Sequence, residues 1–257
     1  MPSTQTLILL TLGLFAVVGV GASAAQTVPY DHVHMAAPDP AKAVAWYKDH
    51  LGGMPGELPD RVVVNKVLLI WMQRADSPAS EGSVIDHIGF SVPDVNAKVA
   101  ELQAAGARLV TPARDAEGLF RIAFVEDPWG AKLEILQDTE RLGLHHLHLR
   151  LPDPDKGLAW FAERFGGERA KLKGRLDGLR YDGLWLLAQK ADAAPGSTGR
   201  AIDHLGWRVR DITTAFAMHR TKGDKIAGEP RPARDLQVGF IEDPNGVRIE
   251  VLQRPQY

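Results

Sequence analysis

Two histidines and a glutamate, His32, His87 and Glu134, recur in the second half of the chain as His146, His204 and Glu250. Two neutral imidazoles and one carboxylate are a donor set that holds a divalent transition metal and leaves positions open for water or substrate. The 257 residues include no cysteine, which excludes thiolate ligation, disulfides and a cysteine nucleophile, so any metal rests on His, Asp and Glu. Fe, Mn, Zn, Ni and Co all suit such ligands. His34 and His148 stand two residues after His32 and His146. In a strand that puts them on the same face, about 7 Å away, as candidates for a general base or proton shuttle or for a contact to a substrate oxygen. The alternative for each is a water-bonded cavity histidine. Pro-Ala-Arg-Asp occurs at 112–115 and again at 232–235, and its Arg114 and Arg234 are candidates to grip a substrate carboxylate or phosphate, against the alternative of a loop ion pair. Arg150 and Arg208 fall on the same strand faces as the histidines and suit an anionic ligand as well.

These residues are carried by a repeat. The shift between equivalent positions is 146 − 32 = 114 at the first histidine and 204 − 87 = 117 at the second, and Trp46 falls on Trp160. Each half divides again, since the stretches from Tyr30 and from Ile85 both read as a strand with a histidine near its start, then Pro-Asp, then a helix closed by glycine. Asp39 with Pro40, and Asp153 with Pro154, open helices as N-cap and first helical residue, and Gly52 and Gly166 can end them in the left-handed conformation. Two further helices run from near Asp94 to Gly106 and from near Asp211 to Gly223. Short β-type runs such as 61–64 and 67–72 follow, giving four βαβββ units, with linkers at 77–83, 138–143 and 191–198.

Strand alternation separates core from cavity. Ile88, Phe90 and Val92 share one face with Asp86, while His87, Gly89 and Ser91 share the other. Leu205, Trp207 and Val209 oppose His204, Gly206 and Arg208 in the same way, and Glu134 and Glu250 each stand opposite apolar neighbours. The imidazoles and carboxylates therefore face away from the helices, into the concave side of a curved sheet. By the same rule His145 lies with Leu147 and Leu149 and reads as structural; His50 and His219 fall on helices and read as solvated, and Trp46 and Trp160, on amphipathic helices, read as core.

A formal net charge of −2 and a pI near 6.5 provide no basic field, so nucleic acid is not an expected partner. A nearly continuous apolar run over residues 7–21 leads into small residues with an A-x-A match ending at Ala24, which reads as a signal peptide over residues 1–25 of a secreted or periplasmic protein. An uncleaved segment would instead be its one attachment to a membrane. The remainder divides into domains at 28–138 and 143–255. Nothing in the sequence sets an oligomeric state.

The strand starts Asp31-His32, Asp86-His87, His145-His146 and Asp203-His204, with the closing motifs at 127–134 and 243–250, resemble the vicinal oxygen chelate superfamily. Its members include glyoxalase I, extradiol dioxygenases, fosfomycin-resistance proteins, methylmalonyl-CoA epimerases and bleomycin-binding proteins. The resemblance implies an α+β fold of four βαβββ modules forming two half-barrels, each enclosing a divalent metal between two strand histidines and a closing glutamate. Pairing modules in sequence order groups His32, His87 and Glu134, and His146, His204 and Glu250. Pairing first with fourth and second with third groups His32, His204 and Glu250, and His146, His87 and Glu134. Glyoxalase I and the epimerases expect a fourth ligand on the last strand of the odd modules, where Ile70 and Leu186 stand, so three protein ligands are expected here. The tyrosine of the extradiol signature is replaced by Phe124 and Phe240. The implied activity is metal-dependent isomerase, lyase or oxygenase chemistry on a small oxygen-rich substrate. The alternative is a binding protein that sequesters a small molecule without turnover, as the bleomycin-resistance type does.

Overall fold

The structure, a computed structural model, describes residues 30–255; the apolar run at 7–21 lies outside the described residues. The first module comprises β1 (Tyr30–Ala37), α1 (Pro40–Leu51), β2 (Met54–Pro55), β3 (Arg61–Val64) and β4 (Val67–Gln73). The second comprises β5 (Ile85–Ser91), α2 (Val95–Ala104), β6 (Arg108–Asp115), β7 (Arg121–Glu126) and β8 (Lys132–Leu136). The third comprises β9 (Gly143–Leu151), α3 (Pro154–Phe165), β10 (Glu168–Leu172), β11 (Leu176–Tyr181) and β12 (Leu184–Lys190). The fourth comprises β13 (Ile202–Arg208), α4 (Ile212–Thr221), β14 (Lys225–Ala233), β15 (Leu236–Glu242) and β16 (Arg248–Gln253). Each has the βαβββ order expected.

Local chemistry sets the helix boundaries. The carboxylates of Asp39, Asp94, Asp153 and Asp211 each accept a backbone N–H three residues on, satisfying a donor that the first helical turn leaves free. Gly52 ends α1 in the left-handed region at φ 73°, ψ 22°. Gly166 departs from that expectation: its ψ of −140° turns the chain straight out of α3.

The strands assemble into two mixed sheets of eight, and each draws on both halves of the sequence. One runs β14-β15-β16-β13-β1-β4-β3-β2, the other β10-β11-β12-β9-β5-β8-β7-β6. Module one thus pairs with module four, and module two with module three, through the antiparallel contacts β1·β13 and β5·β9. Helices cover one face of each sheet, and a continuous core runs from Tyr47 and Leu69 through Ile88, Phe90 and Leu133 to Leu147, Phe161, Trp207 and Phe216. The opposite faces hold the histidines.

Two details differ from the sequence reading. In the parallel pair β9·β12, His148 stands beside Leu187, and Leu186 pairs with Leu147 and joins the core. The place equivalent to Ile70, which stands beside His34, is therefore Leu187, because a one-residue slip exchanges the faces of a strand. His219, read as solvated, is buried and bonds Asp224 at 2.8 Å, a carboxylate that Arg164 also binds.

Candidate metal centres

Strand register builds two equivalent rows. Across β1, β13 and β16, His32 faces Gly206 and Gly206 faces Glu250. Across β9, β5 and β8, His146 faces Gly89 and Gly89 faces Glu134. One step along, His34 faces His204 and His148 faces His87. The outer members of each row are two strands apart, about 10 Å at the backbone. They meet because the middle position has no side chain: a Cβ on Gly206 would lie 2.2 Å from Cε1 of His32, and one on Gly89 2.2 Å from Cε1 of His146. The imidazole lies over the glycine and reaches the glutamate beyond it.

In the first centre Glu250 Oε2 lies 3.1 Å from His204 Nε2, 3.7 Å from His32 Nε2 and 3.9 Å from His34 Nε2. In the second, Glu134 Oε2 lies 3.0 Å from His87 Nε2 and 3.4 Å from His146 Nε2, with His148 Nδ1 3.2 Å from His87 Nε2. Donors about 2.1 Å from a common divalent ion stand roughly 3–3.5 Å apart, so both groups are close to coordination spacing. Two buried nitrogens without a hydrogen-bond partner, His32 Nε2 in one and His146 Nε2 in the other, face the glutamates as donors in a site built for a cation would. His34 Nδ1 and His148 Nε2 are also unpartnered, but their rings meet the clusters through the opposite nitrogen. His34 and His148 thus join the clusters, and each group brings one atom from each of three imidazoles and a carboxylate within 4.8 Å of one another, one imidazole beyond the expected three-ligand set. Their signal in the sequence was the His-x-His spacing; their inward aim depended on the partner strand.

Bulges orient the ligands. Register slips by one residue at Asp31, Asp86, His145 and Asp203, the residue before each ligand histidine. The extra residue in a bulge leaves the alternation, and its side chain bonds the ring that follows. Asp31, Asp86 and Asp203 reach Nδ1 of His32, His87 and His204 at 2.9, 2.7 and 2.6 Å. With Nδ1 bonded to a carboxylate, Nε2 is the nitrogen aimed inward, the usual support of a metal-bound histidine. The fourth bulge holds His145, whose Nδ1 lies 2.9 Å from His146 Nδ1 and whose Nε2 lies 3.3 Å from Asp138 Oδ2. His145 therefore does not sit with Leu147, as alternation predicts.

The electrostatics follow these partners. Burial would depress His32, but its bond to Asp31 and the Glu250 carboxylate 3.7 Å away win and hold it up at about 9. Burial opposes ionisation of Asp31 too, yet His32, Arg254 and Arg208 keep it down at about 2. His87 is raised for the same reason as His32, Asp86 and Glu134 outweighing its burial. His146 is lowered, because burial dominates and Glu134 only partly compensates. His145 is pushed down to about 4 by burial and by His146 beside it. His34 and His148, buried among other imidazoles, are also depressed and stay neutral.

The four arginines separate. Arg208 binds Asp31 at 2.9 Å and so supports His32 through the bulge carboxylate. Arg234 stands in the β14–β15 turn at φ 56°. Arg114 makes no ion pair among the described residues, its neighbour Asp115 pairing instead with Arg121, and it lines a cavity of about 250 Å³ that opens onto the second centre. Arg150 is on the same strand as His146 and His148, and its Nε is buried without a partner. The cavity wall is otherwise largely apolar, including Leu119, Phe120, Phe124, Leu172 and Leu176, and Phe124 stands opposite Glu134 in the next strand.

The sequence matches the Glyoxalase/Bleomycin resistance protein/Dioxygenase superfamily over residues 30–135 and again over 143–251. The chain belongs to that superfamily. A protein described as a probable lactoylglutathione lyase from Synechocystis sp. is 27% identical over 123 residues, 43% of this chain and 94% of that protein. One of the same description from Vibrio cholerae is 26% identical over 124 residues, 43% and 90% of the two chains. Among solved structures, glyoxalase I from Zea mays superposes with a TM-score of 0.68 at 16% identity, covering 88% of this chain and 92% of that one. A putative dioxygenase from Bacillus subtilis gives 0.62 at 15% identity, covering 89% and 86%. These two likenesses concern the fold.

Proposed function

We propose that this chain is an exported metal-dependent enzyme, with a divalent ion held by His32, His204 and Glu250 and another by His87, His146 and Glu134. The observation that carries the reading is the pair of matching clusters, each joining three imidazoles and a carboxylate around unpartnered buried nitrogens. Such an ion supplies Lewis acidity toward an oxygen pair on the substrate. The chain supplies the rest. His148, neutral and with a free Nε2, is placed to take a proton at the second centre, and His34 is its counterpart at the first. Phe124 and the leucines of the cavity exclude water, and Arg114 offers a cation to an anionic end of the substrate. A small oxygen-rich molecule with an apolar body and a negatively charged end fits this combination. The description of the bacterial relatives as probable lactoylglutathione lyases supports isomerase or lyase chemistry by proton transfer. Replacement of the extradiol tyrosine by Phe124 and Phe240 argues in the same direction.

Metal content of the purified protein, measured by mass spectrometry, tests the reading. Two equivalents per chain are expected, and one is expected to be lost in each of Glu134→Ala and Glu250→Ala. A wild-type protein that retains no stoichiometric transition metal, even after reconstitution, rejects it.

A further inference from the structure

The two centres match row for row in the register and differ in one residue at the bulges. Three of the four ligand histidines are backed by a carboxylate at the bulge, whereas His146 is backed by another imidazole. We infer that His145 is a positioning residue of the second centre, fixing His146 with its Nδ1–H outward and passing the hydrogen bond on to Asp138 in the link between the two halves.

Donor counting settles the arrangement. At 2.9 Å the two Nδ1 atoms share one hydrogen, so one ring donates and the other accepts. His146 must leave Nε2 bare toward Glu134, 3.4 Å away, to act as a ligand, so its hydrogen is on Nδ1 and it is the donor. His145 then accepts at Nδ1 and carries its own hydrogen on Nε2, which points at the Asp138 carboxylate 3.3 Å away. All three side chains are buried, and Asp138 is itself anchored, its backbone N–H and C=O both bonded to Ser91 Oγ at 2.8 and 2.9 Å. The negative charge that backs His146 therefore stands one ring farther away than at His32, His87 and His204. A ligand imidazole whose Nδ1–H meets a neutral acceptor is a weaker donor than one that meets a carboxylate. The second centre is accordingly built to hold its ion less tightly than an aspartate at position 145 would make it. That hold depends on a residue outside the coordination sphere, at the junction of the halves.

This inference rests on the metal reading above, and the two can fail separately. The parent for the test is the Glu250→Ala protein, which keeps only the second centre, and the probe is Zn2+. In the zinc-loaded, 15N-histidine-labelled parent, His146 is expected to carry a slowly exchanging Nδ1–H with a scalar coupling across the hydrogen bond to His145 Nδ1. His145→Ala and, separately, the nearly isosteric Asp138→Asn are each expected to weaken zinc binding by about 10- to 100-fold. His145→Asp is expected to bind at least as tightly as the parent. Coordination of zinc through His146 Nδ1, or zinc affinities of both weakening variants within twofold of the parent, overturns the inference while the metal reading stands. A parent that binds no zinc overturns both.

Discussion

His32 has two carboxylates within reach, Asp31 at 2.9 Å and Glu250 at 3.7 Å, and in the metal-free protein they keep it protonated up to about pH 9. Its ordinary value is 6.5, so the folded state binds the proton more tightly than the unfolded chain. The resulting stabilisation is complete below pH 6.5 and is lost as pH rises through about 9; His87, raised in the same way, adds to the trend. A metal ion needs the bare nitrogen and so competes with that proton. Thermal unfolding between pH 6.5 and 9 should show the metal-free protein losing stability while the gain in Tm on adding Zn2+ grows. A zinc-induced gain that stays flat across the window would sink this account of His32.

At the scale of the element, what distinguishes these strands from ordinary half-buried ones is a glycine in the middle of each ligand row and a bulge before His32, His87, His146 and His204. Gly206 and Gly89 have room for an imidazole only because they lack a Cβ. In Gly206→Ala the new methyl overlaps the His32 ring and must displace it or the strand. Overpacking of that kind costs about 1–3 kcal/mol. The same change at Gly89 acts on His146. Each variant is expected to lose about that much stability by denaturant titration and one of the two metal equivalents by mass spectrometry. Full metal content together with unchanged stability in Gly206→Ala would show that the ring does not need the space.

Across the whole molecule, neither half of the repeat closes a sheet of its own. β1 needs β13 and β5 needs β9, so each candidate centre takes ligands from both halves: His32 with His204 and Glu250, and His146 with His87 and Glu134. A first half expressed alone would leave β1 and β5 as edge strands, paired with β4 and β8 on one side and open on the other, which invites aggregation. Chains divided in the 138–143 link and co-expressed are expected to purify as a one-to-one complex that binds two metal equivalents, as read by light scattering and metal analysis. An isolated first half that is soluble, monomeric and binds metal through His32, His87 and Glu134 would contradict this dependence.

The sequence by itself determined the four modules, their helix starts at Asp39, Asp94, Asp153 and Asp211, and the apolar faces of the strands, and it singled out six His and Glu residues of the candidate centres. Those features follow from spacing, capping and alternation, which are local. Only the tertiary structure decided which modules pair, because all four carry equivalent strands and hydrogen bonding between β1 and β13 leaves no trace in either segment alone. It also decided that His34 and His148 join the clusters and that His145 turns toward His146 in place of the core. A bulge is a mismatch of length between two strands, and a single strand read alone, however regular its alternation, cannot disclose it.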